Sequence, residues 1–162
     1  MKISRYPLLT LALVLLVTGC TARTRSMSGA GGMKGSNVVC ILFHDSYFNY
    51  LLKEKISKYV IGRGYKVVSD EEFLADRYRP GDYAAVVIMA KHEAKGSMKI
   101  IDEFVARYGG RGNVIVSISH EWDIDGSTIK KEYDAFTAAS KDFEQDEVLE
   151  KIKEGLDSVL KK

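Results

Sequence analysis

Short apolar runs bounded by charges and glycines recur along this chain at regular intervals. The one that the rest are organised around lies within Tyr83 to Glu93, YAAVVIMAKHE, where Ala84 to Met89 are apolar without interruption. A run this short and this β-branched predicts a strand buried on both faces, as in a parallel sheet covered by helices. A helix would need more length, and Pro80-Gly81-Asp82 on one side with charges and a glycine on the other fix the ends. The polar cluster Lys91-His92-Glu93 then stands at the carboxyl end of a central strand, where open α/β sheets hold their ligands.

The other runs arrange themselves around it. Val38 to Phe43 predicts a first strand, and Asp45 or Ser46 supplies a helix cap after it. Phe48, Leu52, Ile56 and Tyr59/Val60 recur at helical spacing over Tyr47 to Ile61, with Gly62 and Gly64 as terminators. Tyr65 to Val68 predicts a second strand, and Ser69-Asp70-Glu71-Glu72 reads as a capping box opening a short helix to about Ala75. Met98, Ile101, Phe104, Val105 and Tyr108 mark a helix over Gly96 to Tyr108, closed by Gly109-Gly110. Val114 to Ile118 predicts a fourth strand, followed by Ser119-His120-Glu121-Trp122. One helical turn is placed in Thr128 to Lys131, a fifth strand at Tyr133 to Ala138, and a final amphipathic helix over Glu144 to Leu160.

Strands and helices alternate, which demands right-handed crossovers and a parallel sheet. The pattern of five strands with helices between them resembles the flavodoxin-like fold. That resemblance covers Val38 to Leu160 and implies a three-layer, doubly wound α/β domain with strand order 2-1-3-4-5.

The amino terminus follows different rules. Lys2 and Arg5 form a positive segment, Leu8 to Val17 an apolar core too short for a permanent span, and Val17-Thr18-Gly19-Cys20 a small-residue site. It resembles a bacterial lipoprotein signal peptide, with Val17 to Cys20 matching the lipobox. The resemblance implies cleavage before Cys20, a diacylglycerol on its sulfur and a further acyl chain (palmitate or similar) on its amine. Two or more chains anchor stably where one is marginal. Thr21 rather than Asp after the cysteine implies the outer membrane, facing the periplasm, in a Gram-negative cell. Residues 1–19 are thus expected to be the signal peptide, 20–37 the lipidated cysteine and a Gly/Ser-rich tether, and 38–162 the folded domain. The tether has a reach of about 20–25 Å.

Composition adds mainly exclusions. With 46% hydrophobic residues the chain supports a packed core, and a formal net charge of +2 predicts no strongly charged partner. No basic stripe or zinc-finger spacing points to nucleic acid. Once Cys20 is acylated only Cys40 remains, within the apolar run VVCILF, so no internal disulfide is expected.

Candidate chemistry is confined to the loops. Flavodoxins hold the FMN phosphate in a T/S-x-T-G-x-T-like loop after the first strand; here that loop is His44-Asp45-Ser46-Tyr47-Phe48-Asn49, with one hydroxyl, no glycine and a carboxylate. Response-regulator receivers need an aspartate at the end of strand three, where this chain has Ala90-Lys91. Neither a Walker loop nor a nucleophile elbow is present. All three histidines, His44, His92 and His120, fall just past strands one, three and four, and each precedes an acid, Asp45, Glu93 and Glu121. Imidazoles oriented by carboxylates suit Zn²⁺ or a similar ion. Glu121-x-Asp123-x-Asp125-Gly126, with Glu132 after five more residues, approximates a calcium loop, with a solvated Asp-Gly turn as the competing account. Trp122 is an aromatic placed where flavodoxins often stack one on the flavin.

The expectation is a lipid-anchored envelope domain that binds a small ligand or an envelope protein at an edge bearing His44, Asp45, His92, Glu93, His120 and Trp122, without FMN. A divergent flavin-dependent oxidoreductase and a Zn²⁺- or Ca²⁺-binding lipoprotein, the latter using His44, His92, His120, Asp123, Asp125 and Glu132, are the alternatives. In cells fed labelled palmitate, the full chain is expected to take up label and a Cys20→Ser variant to take up none. Label retained by the variant would refute lipidation at this position.

Overall fold

A computed structural model describes residues 33–120 and 145–160 and the backbone of 135–139. Five parallel strands form one sheet: β1 Gly35–Phe43, β2 Lys66–Glu71, β3 Tyr83–Lys91, β4 Val114–His120 and β5 Ala135–Ala139, in the order β2-β1-β3-β4-β5. Helices α1 Tyr47–Gly62, α2 Ser97–Tyr108 and α3 Gln145–Val159 cover it. The parallel sheet is the one expected from the alternation of runs, and its order is the one that the resemblance to the flavodoxin-like fold implies. Lipobox, signal segment and most of the tether, together with Trp122, Asp123, Asp125, Glu132 and the helical turn expected at Thr128 to Lys131, lie outside the described residues.

The pleat assigns each apolar residue to one of two cores. Val39, Ile41, Ala85, Val87, Met89 and Ile115 pack beneath α1 and α3, meeting Leu52, Ile56, Ile152 and Leu156. Val38, Cys40, Leu42, Val86, Ile88, Ala90, Val116 and Ile118 face the other way, toward Ile101 and Phe104 of α2. Every residue of β3 from Ala85 to Ala90 is fully buried, so this strand is the common wall of both cores. Gly64 holds φ +87 just past the end of α1, a left-handed conformation that glycine adopts without the Cβ penalty.

Three expectations need correction. β1 begins at Gly35, inside the segment read as tether, because Gly35 already pairs with Tyr83. Ser69, Asp70 and Glu71 are not a capping box: they continue β2 in register with Ile41, Leu42 and Phe43. A continuing ladder satisfies main-chain groups that a cap would serve only locally, and the next element is the 3-10 helix Glu72–Arg77, with no side-chain cap. β4 likewise runs two residues past Ile118, making His120 its last residue and buried rather than a loop residue.

On the α2 side, the connection from β2 to β3 consists only of that 3-10 helix and a second one, Pro80–Asp82. Beneath it lies a cluster of weak acids. The Tyr78 hydroxyl donates to Asp70 Oδ2 at 2.7 Å, and Tyr83 packs against the Tyr78 ring. Burial pushes the Cys40 thiol well up, with Asp70 adding to it, so Cys40 is an inert core residue. Burial, followed by the charges of Cys40 and Asp82, pushes the Tyr83 phenol up to about 12, and burial with the Asp70 hydrogen bond drives Tyr78 higher still.

An unfolded tyrosine loses its proton near 10, so between 10 and about 12 the folded chain binds more protons than the unfolded one. The contribution is complete below pH 10 and lost as pH rises through about 12. Urea midpoints should therefore fall across that alkaline window, and Tyr83→Phe should make the fall shallower. An identical slope in the variant would contradict the assignment.

Candidate functional site

The carboxyl ends of β1, β3 and β4 form one edge, and alternation places all three histidines on the same side of it. His44 follows Cys40 and Leu42 in pleat parity, His92 follows Ile88 and Ala90, and His120 follows Val116 and Ile118. Main-chain bonds carry the ladders past the strand ends: the His44 N–H donates to Met89 O at 2.7 Å, and the His92 N–H to Ser119 O at 2.8 Å. Register continues accordingly. Glu72 and His44 fall in one row with Ala90 and Ile118, and His92 and His120 fall in the next.

The residue that organises this edge is Glu72, which the sequence pattern presented as part of a helix cap. It opens the 3-10 helix and is 5% exposed. A carboxylate at that depth needs donors, and it has them. His44 Nδ1 donates to Glu72 Oε1 at 2.7 Å, and the Ser97 hydroxyl donates to the same oxygen at 3.2 Å. Ser97 is the first residue of α2 and almost fully buried, with Gly96 before it at φ +86. Glu72 therefore also sits at the positive end of the α2 dipole.

This constellation has a defined chemistry. A proton on His44 Nδ1 is fixed by the carboxylate, so in the neutral ring Nε2 carries the lone pair. With 29% of its side chain exposed, the His44 ring keeps access to solvent while one nitrogen is held. Such an imidazole can accept from a ligand, transfer a proton or join a metal's shell. It is not half of a serine-hydrolase triad: there the imidazole stands between hydroxyl and carboxylate, whereas here the carboxylate stands between Ser97 and His44.

Around this pair the loop after β1 is tightly built. Ser46 caps α1 by accepting from the Asn49 N–H at 3.3 Å, and Asn49, 1% exposed, reaches Met89 O through Nδ2 at 3.4 Å. Phe48 is buried in the core, its carbonyl bonded by Gln145 Nε2, while Tyr47, the first residue of α1, is 72% exposed. Asp45, read as the acid accompanying His44, is exposed, and Glu72 takes that role instead. Glu93 is exposed and His92 half-buried. His120 is buried at the end of β4. Among the described residues, no group of three or more His, Cys, Asp and Glu side chains comes close enough to hold a metal ion.

Sequence reasoning found His44 and missed Glu72, Ser97 and Asn49. The signal for Glu72 was the period of two through Val68, Asp70 and Glu72, which places it on the His44 side of the sheet. Ser97 and Asn49 carried none, since polar first-turn residues ordinarily face water.

No family model matches the chain, and no curated protein matches it. Among solved structures it is similar to rubredoxin oxygen:oxidoreductase from Desulfovibrio gigas, at TM-score 0.48 and 7% identity over 78% of this chain and 36% of that one. It is also similar to the E. coli constitutive lysine decarboxylase, at TM-score 0.46 and 8% identity over 76% and 18% of the two chains. The lysine decarboxylase LdcF of Francisella novicida gives TM-score 0.45 and 11% identity over 75% and 18%. The chain spans far less than two thirds of any of these proteins, and likeness at this level carries no argument about activity.

The Glu72 pairing has a measurable consequence. Glu72→Ala leaves the Ser97 hydroxyl and the His44 N–H without their acceptor and should cost about 1–3 kcal/mol in urea unfolding. Glu72→Gln, whose amide oxygen still accepts from both, should cost less. In a double-mutant cycle, Glu72→Ala and His44→Ala should be non-additive. Additive losses would show that the two groups do not interact.

Proposed function

We propose that the chain is a lipid-anchored envelope protein whose flavodoxin-like domain binds a ligand or partner protein at the carboxyl edge of its sheet, without a flavin. The observation that carries this reading is the His44–Glu72 pair: a buried carboxylate holding one nitrogen of an imidazole whose ring remains accessible. Tyr47, exposed one turn away at the start of α1, adds the amphipathic aromatic surface that recognition sites favour.

The loop after β1 supports the flavin-free part. A phosphate at the α1 N-terminus needs free amides and close backbone approach. Here the Asn49 amide is taken by Ser46, Phe48 and Asn49 fill the space beneath, and Asp45 brings a negative charge. These residues do not fit an FMN phosphate. The anchor is the acylated Cys20, and 17 residues of small and polar composition (21–37, the last of them already in β1) separate it from the core strand at Val38. No helix among the described residues is long and apolar enough to cross a membrane.

Native mass spectrometry of the gently purified chain should give the mass of the lipidated protein alone. Added FMN should neither add its mass nor quench Trp122 fluorescence. A bound flavin would overturn this reading in favour of the oxidoreductase. Bound Zn²⁺ that disappears when two of His44, His92 and His120 are replaced would overturn it in favour of a metal protein. A photo-crosslinker at Tyr47 should label a partner in the envelope, with His44→Ala lowering the yield; unchanged labelling would remove His44 from the site.

A further inference from the structure

The layer over the α2 face of the sheet is thin. Between β2 and β3, where a doubly wound fold would ordinarily lay a crossover helix, this chain has the 3-10 helix Glu72–Arg77. One flank of α2 is consequently left open as a groove of about 440 Å³. Leu74, Ile100 and Phe104 supply its apolar lining, with Phe104 buried and the other two partly so. Phe73 stands at its lip, 55% exposed, among the most exposed large apolar side chains of the described residues.

The charges around this groove are balanced and distributed in a particular way. Asp76 and Arg77 lie on the 3-10 wall, and Glu103 and Arg107 on the α2 wall. Among the described residues no ion pair joins the two walls. No ion pair of Asp76 or Arg77 is formed among the described residues, Arg107 lies over the Tyr108 ring at 5.9 Å, and Glu103 meets Lys99 at 3.7 Å in a largely exposed pair worth little. Each wall thus offers one acid and one base that its own opposite wall does not reach.

We propose that this groove is a homodimer interface, occupied by the 3-10 wall of a second copy of the chain. Phe73 of each copy enters the groove of the other. Arg77 then meets Glu103 of the second copy, and Asp76 meets its Arg107. A two-fold axis requires a self-complementary patch, and a patch with one acid and one base on each wall is self-complementary. An anionic ligand would meet two carboxylates here and a cationic one two guanidiniums, whereas a second copy satisfies all four charges. It also supplies the apolar cover that the absent crossover helix would have given, and tethering to one membrane raises the local concentration of copies.

The test uses the full chain in its own membrane, with p-benzoylphenylalanine in place of Phe73 and two differently tagged copies in the same cell. Irradiation should give an adduct carrying both tags. Arg77→Glu places two acids together at each pair and should lower the yield about tenfold. Adding Glu103→Arg to that variant should restore it, because each copy contributes both residues. The urea midpoint of the single variant, expected to match that of the unaltered chain, shows that it is folded. Adducts with only one tag, or a double variant that stays as low as the single one while its urea midpoint is unchanged, would overturn the proposal.

Discussion

Burial of both faces of β3 is the constraint on which the rest of this domain depends. A strand whose six residues from Ala85 to Ala90 are all excluded from water cannot terminate a layer. It requires a strand on each side, supplied by β1 and β4, and a cover above and below, supplied by α2 and by α1 with α3. Parallel pairing follows, because α1 and α2 are also the connections that return the chain to the end of the sheet where the next strand begins.

The same constraint creates the polar edge. Where the apolar rows stop, their parity continues into His44, His92 and His120, so groups that belong in water begin directly above a dry core. Glu72 is caught at that boundary. Its burial is compatible with folding because His44 and Ser97 both donate to one of its oxygens and because it stands at the start of α2. The bond that makes Glu72 tolerable is also the one that orients the imidazole. Burial of the carboxylate and orientation of the imidazole rest on the same contact at this position.

The two faces of the sheet are unequally protected. α1 and α3 form a full helical layer and bridge to one another through Lys55 and Asp146 at 2.7 Å. On the other face α2 stands beside a six-residue 3-10 helix, and Phe73 is left in solvent. The unequal layer leaves one flank of α2 open while the opposite face is closed.

By itself the sequence determined the architecture, because hydrophobic period is a local property. The unbroken run at Ala84 to Met89, the helical stripe from Phe48 to Val60 and the alternation of runs were enough for a parallel sheet covered by helices, and the resemblance to the flavodoxin-like fold added the order 2-1-3-4-5. It also located the edge, since His44, His92 and His120 stand directly after apolar runs. What only the tertiary structure decided is which partners those groups have. Ser69-Asp70-Glu71 looks locally like a cap and becomes strand because β1 offers it a ladder. Asp45 is next to His44 in sequence but exposed, whereas Glu72, 28 residues further on, is beside it in space. Pairing across a sheet depends on register between segments distant in sequence, and no local pattern carries that distance.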